Sequence, residues 1–128
     1  MKHKLIVDGL EIDDKTKELL VEFIKLCCHY LKINKKSIIY IVSNRKKYKI
    51  KTLGFFENDK IFIYGKNRLL ADILRTISHE LKHFSQSIKG ILTPDSGKTG
   101  SPEENDANIF SGNIMRIYGK KRPLIYKV

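Results

Sequence analysis

Asp72-Ile73-Leu74-Arg75-Thr76-Ile77-Ser78-His79-Glu80-Leu81-Lys82-His83-Phe84-Ser85-Gln86 carries two patterns at once. Leu70, Ile73, Leu74, Ile77, Leu81, Phe84 and Ile88 recur three and four residues apart, which predicts a helix over about 68–89 with a single apolar stripe. With Ile77 at zero and about 100° per residue, the stripe lies between roughly −40° and +60°. His79 and His83 fall near 200° and 240°, on the opposite side, so they are not histidines of the core stripe. Glu80, near −60°, borders the stripe, where partial desolvation raises a carboxyl pKa toward that of a working base. Residues four apart on a helix share a face, with about 6 Å between Cβ atoms. Two imidazoles so placed can reach one zinc ion at about 2.0–2.1 Å. The glutamate beside the first histidine then flanks the ion, where it can take a proton from water and pass it to a leaving amine. An HExxH run arises by chance about once in 150 chains of this composition, so the motif alone does not decide its meaning. The competing reading is a solvated polar face shared with Asp72, Arg75, Thr76 and Gln86.

Downstream, Gly90 to Pro102 (GILTPDSGKTGSP) holds three Gly and two Pro and reads as a loop. A third helix follows over about 103–119. Two histidines are too few for a catalytic zinc site, which takes three protein ligands and an open position. Glu103, Glu104 and Asp106 open the new helix, although acids in a first turn also simply complement the helix dipole. Glu104 is followed at i+3, i+7 and i+8 by Ala107, Ser111 and Gly112, small residues that let its side approach the HExxH helix closely. Glu103 points about 100° away, toward bulkier neighbours, so Glu104 is the stronger candidate.

Upstream, residues 3–8 read as a short strand and 14–32 as a helix, capped by Asp13 or Asp14. Ile38 to Val42 is an unbroken apolar, β-branched run, a buried strand. Residues 48–56 and 61–64 read as an antiparallel hairpin around the turn at 57–59, with Gly54 marking a bulge or a close backbone approach. The order β-α-β-β-β-α-α predicts an α+β fold with a small, mainly antiparallel sheet. One domain over 1–128 is expected: sheet and first helix over 1–65, active-site helices over 66–119, and a tail over 120–128.

A chain of 128 residues, 41% hydrophobic and 30% charged, fits one soluble domain. No apolar run approaches the roughly 20 residues of a membrane span. Met1-Lys2-His3-Lys4 is basic, but Leu5-Ile6-Val7 is cut short by Asp8 and Gly9, too early for a secretory signal. A cytoplasmic protein with no membrane partner is expected. Cys27 and Cys28 are neighbours on a helix, poorly placed to bridge each other, and read as buried free thiols. The net charge of +11 comes from scattered lysines without an arginine cluster or interleaved aromatics. Nucleic acid is therefore a permitted but not a favoured partner. Ser96-Gly97-Lys98-Thr99 echoes a phosphate loop, but Leu92 stands where that motif needs glycine, and a helix precedes instead of a strand.

His79-Glu80-x-x-His83 followed by Glu104-x-Asp106-Ala107-Asn108-x-Phe110-Ser111 resembles the gluzincin pattern, close to the ImmA/IrrE-type peptidases. The stretch DILRTISHELKHFSQ … GKTGSPEENDANIFSGNIMR is similar to small zincin domains encoded by bacteriophages. The resemblance covers about residues 54–119. It implies a zincin-like minimal metalloprotease fold, hydrolysis of a peptide or protein substrate, and Zn2+ held by His79, His83 and Glu104 rather than Glu103. It makes Glu80 the catalytic base and Asn108 a group that orients His79. It further implies that an edge strand, 54–57 or 61–64, receives substrate as an added strand. The chain departs from the pattern in having no histidine beyond His83, which leaves Arg116, Tyr118 or Tyr126 to steady an oxyanion. Asp106 replaces the usual glutamate and is expected at the surface. Two rival functions are a zincin-fold binding or structural module, such as a virion component or host-interaction protein, and a protease acting on DNA-associated proteins. An intact Glu80 argues against the first, because a purely structural role needs no base.

Overall fold

Asp13 starts the first helix by accepting a hydrogen bond from the Thr16 amide at 2.8 Å, and Lys32 ends it in a left-handed conformation. Between those caps, Leu20, Phe23, Ile24 and Cys27 recur at helical spacing, and all four are fully buried. The computed structural model describes residues 3–127. Its elements are β1 (His3–Asp8), α1 (Asp14–Leu31), β2 (Ser37–Val42), α2 (Arg45–Tyr48), β3 (Gly54–Glu57), β4 (Lys60–Tyr64), α3 (Leu70–Ile88), α4 (Pro102–Lys121) and a 3-10 turn (Pro123–Tyr126). Met1 and Lys2, half of the basic start noted above, lie outside the described residues. None of the helices is long and apolar enough to cross a membrane. The architecture is α+β.

The sheet runs in the order β1-β2-β4-β3 and is mixed, which corrects the mainly antiparallel expectation. β1 pairs with β2 and β2 with β4 in parallel; only β3 and β4 run antiparallel. The reason lies in the connections. A strand followed by an 18-residue helix re-enters the sheet in its original direction, which a hairpin cannot do. The second correction concerns residues 48–53, read above as part of a strand. Asn44 caps a single helical turn by accepting from the Lys47 amide at 3.0 Å, and Lys49 leaves it left-handed, so the strand begins only at Gly54. The hairpin that follows turns through Asn58, at φ 55°, which asparagine tolerates.

One face of the sheet is the core: Ile39, Ile41, Ile61 and Ile63 are fully buried beneath α1 and α3. Gly54 does mark a close approach. A Cβ there would lie 3.0 Å from Thr76 Cγ2 of α3 and 3.0 Å from the Phe62 carbonyl, so only glycine lets β3 sit tight against the helix. Cys27 and Cys28 are free and buried, and burial pushes Cys28 up to about 12, so it stays a thiol.

The expected tail is not loose. α4 continues to Lys121, and the turn after it buries Ile125 completely. Arg122 fixes this end on α1 with two nitrogens on the Glu22 carboxylate, at 2.8 and 3.0 Å. The Tyr118 hydroxyl lies 2.9 Å from the same carboxylate and 3.0 Å from the Leu19 carbonyl. Arg122 first, then Tyr118, hold Glu22 down at about 2 against an ordinary 4.5. A depressed carboxyl stabilises the fold above about 4.5, and that contribution is lost as pH falls through about 2. The carboxylate is one-third exposed, so solvent screening keeps the effect modest. Glu22→Gln should lower the melting temperature at pH 7 and flatten its decline between about pH 4.5 and 2. Parallel acid melts of the two proteins check this.

Candidate metal centre

α3 and α4 meet on the polar side of α3, so that side is not a solvated surface. Gln86 is 1% exposed and His83 8%. Small and polar residues make the approach possible: Ala107 is fully buried, and the Ser78 and Ser111 hydroxyls lie 2.8 Å apart, both reaching the Arg75 carbonyl. Gly112, in contrast, has open space around it and lines a cavity rather than the helix contact. The Ser101 hydroxyl caps α4 by accepting from the Glu104 amide at 3.1 Å and donates to the Ser96 carbonyl at 2.6 Å. That cap fixes both the first turn of α4, where Glu104 sits, and the loop before it.

The three expected ligands converge. His79 Nε2 and His83 Nε2 lie 3.2 Å apart, Glu104 Oε1 is 3.0 Å from the first, and Oε2 is 2.9 Å from the second. Atoms bound at 2.0–2.1 Å around a tetrahedral zinc stand about 3.3–3.4 Å apart. Two ring nitrogens and a carboxylate at nearly that separation fit a divalent cation of borderline softness. Glu103, the rejected neighbour, offers this cluster nothing from its side chain; its backbone carbonyl serves instead.

Gln86 donates from Nε2 to that Glu103 carbonyl at 3.0 Å, which turns its Oε1 toward His83 Nδ1, 2.8 Å away. His83 Nδ1 therefore donates to Gln86, which leaves Nε2 as the ring atom offered to a cation shared with Glu104. From sequence, Gln86 figures only among the residues of a competing solvated face, with no role assigned to it. Its i+3 spacing from His83 was the available signal. Asn108, expected to orient His79, lies beside that ring and favours its protonated form. Burial lowers the His79 pKa, with Glu104 opposing, which favours the neutral ring that a metal ion requires. Replacing Gln86 with Ala should leave the fold intact and weaken zinc binding about 10- to 100-fold, read by competition with a chelating dye. Unchanged affinity would contradict the role.

Glu80 does not join the cluster. It is 9% exposed, and burial pushes its carboxyl up to about 7, with His83 pulling down and Glu104 pushing up. A base poised near neutral pH is well matched to proton transfer.

Two cavities flank His79 and Glu80. One, of about 490 Å3, lies between β3, α3 and the loop carrying Leu92, Thr93, Ser96 and Gly97. The other, of about 390 Å3, is bounded by Thr52, Leu53, Arg75, Asn108 and Gly112. Thr52, Gly54, His79 and Glu80 line both, so they form one cleft with the His79–Glu80 pair at its middle. Loop 96–99, dismissed as a phosphate site, forms a wall of this cleft through Ser96 and Gly97. Of the two possible substrate strands, 61–64 is excluded, because β4 is paired on both sides; β3 is an edge.

None of the three residues considered for an oxyanion lines the cleft. Tyr118 is fully buried and committed to Glu22 and Leu19. Arg116 is exposed on α4, and Tyr126 packs at Gly119, near that helix's far end from Glu104. Asp106 is exposed, as expected. No family model matches the chain, and no curated protein or solved structure is significantly similar to it.

Proposed function

We propose that this chain is a zinc-dependent peptidase that cleaves peptide bonds in an extended substrate lying in the cleft. The observation that carries the reading is the meeting of His79, His83 and Glu104 at one point beside a buried, unliganded Glu80. His79, His83 and Glu104 would hold the ion. A zinc ion held by three protein ligands supplies Lewis acidity, polarising a carbonyl and lowering the pKa of water. The remaining work falls to the chain. Gln86 holds the His83 ring and Asn108 sits beside His79, so both rings present Nε2 to one point. Glu80 takes a proton from the attacking water at its carboxylate and gives it to the departing amine. In the metal-free chain burial already raises its pKa toward neutrality, the range suited to such transfers. The free edge of β3 supplies backbone donors and acceptors that align an extended peptide past His79 and Glu80. A binding module would need the strand edge and the cleft but no base near neutral pH.

The test is cleavage of an unfolded protein by the zinc-loaded chain and by its Glu80→Gln variant. Fragments from the first alone support the proposal; equal fragmentation by both, or by neither, contradicts it.

A further inference from the structure

The face of the sheet turned away from α1 and α3 carries a row of side chains in cross-strand register. Ile6 pairs with Tyr40, Tyr40 with Phe62, and Phe62 with Phe55, across β1, β2, β4 and β3. The last three are rings, and they are stacked. Tyr40 and Phe62 have centroids 4.8 Å apart at 12°, and Phe62 and Phe55 are 4.9 Å apart at 20°. That spacing equals the distance of about 4.7–4.9 Å between neighbouring strands. The rings therefore stand on edge like books, each filling the slot that its own strand provides. Their edges, not their faces, turn outward, and Tyr48 of α2 leans on two of them, its ring 6.0 Å from Tyr40 and 5.8 Å from Phe62, so this row is a poor platform for stacking nucleic acid bases despite the basic charge.

The row ends at the free edge. Among the described residues Phe55 stacks on Phe62 alone, leaving its other face without an aromatic neighbour. Among the described residues β3 has no strand beyond it. Gly54, Phe55 and Phe56 all border the cavity that holds His79, Glu80 and His83, although alternate residues point to opposite faces of a strand. The edge of β3, and not one of its faces, thus opens on the candidate centre. Phe56 points inward, its ring 6.3 Å from that of Phe84. A strand added there would put one of its side chains in the next slot of the row, about 4.8 Å from Phe55.

We infer that this row selects the ligand: the extended peptide that adds to β3 carries Phe, Tyr or Trp at the position opposite Phe55. Offset stacking on Phe55 then adds to the backbone pairing that any sequence would make. Acidic residues beside the ring suit a chain of net charge +11 whose cleft includes Arg75. Arg75 gives one N–H to Asp72 at 2.8 Å, and among the described residues the rest of its guanidinium donors have no hydrogen-bond partner. The inference rests on the peptidase reading only for the fate of the peptide, since adding a strand requires no hydrolysis.

The chain contains no tryptophan, so a Trp peptide is the sole indole in a mixture. The probes are blocked nine-residue peptides of Thr and Glu, with one Trp moved a position at a time, each beside a Leu counterpart. They are titrated into zinc-loaded Glu80→Gln protein, followed by indole emission and, for the Leu peptides, by competition. One register should bind about two- to tenfold tighter than its Leu counterpart, with blue-shifted emission. Phe55→Leu should reduce that preference to less than twofold with the fold and zinc content retained, and Phe55→Tyr should keep it. Absence of binding in every register, equal binding of Trp and Leu peptides, or a preference that survives in Phe55→Leu overturns the inference. Wild-type protein separates the two claims. Ring-selective binding without cleavage supports the row and defeats the peptidase; cleavage indifferent to the ring defeats the row and spares the peptidase.

Discussion

Zinc-loaded Glu80→Gln protein is expected to retain its metal and lose about 10²- to 10⁴-fold in hydrolytic rate, the usual contribution of a positioned general base. Glutamine preserves the shape of the side chain but cannot accept the proton. The substitution should not harm the fold, and the direction of the Glu80 shift says why. In the metal-free protein burial holds this carboxyl at about 7, above its ordinary 4.5. An acid whose pKa is raised by folding stabilises the fold only while protonated, so stability declines as pH rises from about 4.5 through 7. Glutamine mimics the protonated form at every pH. Metal-free Glu80→Gln should therefore melt at or above the wild-type temperature at pH 8, while its zinc-loaded form is inert. Rate measurements beside thermal melts separate a catalytic role from a structural one. A variant that melts lower and keeps its rate would show that Glu80 is a packing residue.

The second large effect is on stability. A zinc ion on His79, His83 and Glu104 would take its ligands from two helices, which the unfolded chain does not hold together. At a free zinc concentration 100 times Kd, the expected gain is about 2.7 kcal/mol. For a domain of this size that corresponds to a rise of roughly 10 °C in Tm. Glu104→Ala should abolish most of the rise, because two imidazoles on one helix turn leave the ion short of a ligand and no longer bridge α3 to α4. Melts with added zinc and with a chelator, on both proteins, measure it. An equal rise in Glu104→Ala would assign the metal to some other set of residues.

How much of this was legible in the sequence depends on the range of the forces involved. Helix boundaries were, because caps and apolar spacing are local: Asp13, the α1 stripe and the α3 stripe all fall where the pattern puts them. The convergence of Glu104 with His79 and His83 was legible through the small residue Ala107, which marks where α4 approaches α3. Strand direction was not. It is set by how the long α1 connection and the short turn at 45–48 return the chain, and no alternation of side chains encodes that. The Lys-rich run at 45–47 hid a helical turn whose cue was a single Asn44 cap. Gln86 escaped because one polar residue on a helix looks the same whether water or another helix covers it. The aromatic row escaped for a related reason. Phe55 and Phe62 flank one hairpin, but Tyr40 lies on a separate strand, and the three line up only once the register of three strands is fixed. The C-terminal segment, read as a tail, is held by Glu22, a residue on the other side of the chain's length.

The account stands on one cation held by three side chains. Elemental analysis of the purified protein after zinc loading and extensive dialysis, beside His83→Ala treated identically, tests it most directly. About one zinc per chain in the first and almost none in the second is the predicted result. No retained metal in the wild type, or equal metal in both proteins, would contradict it.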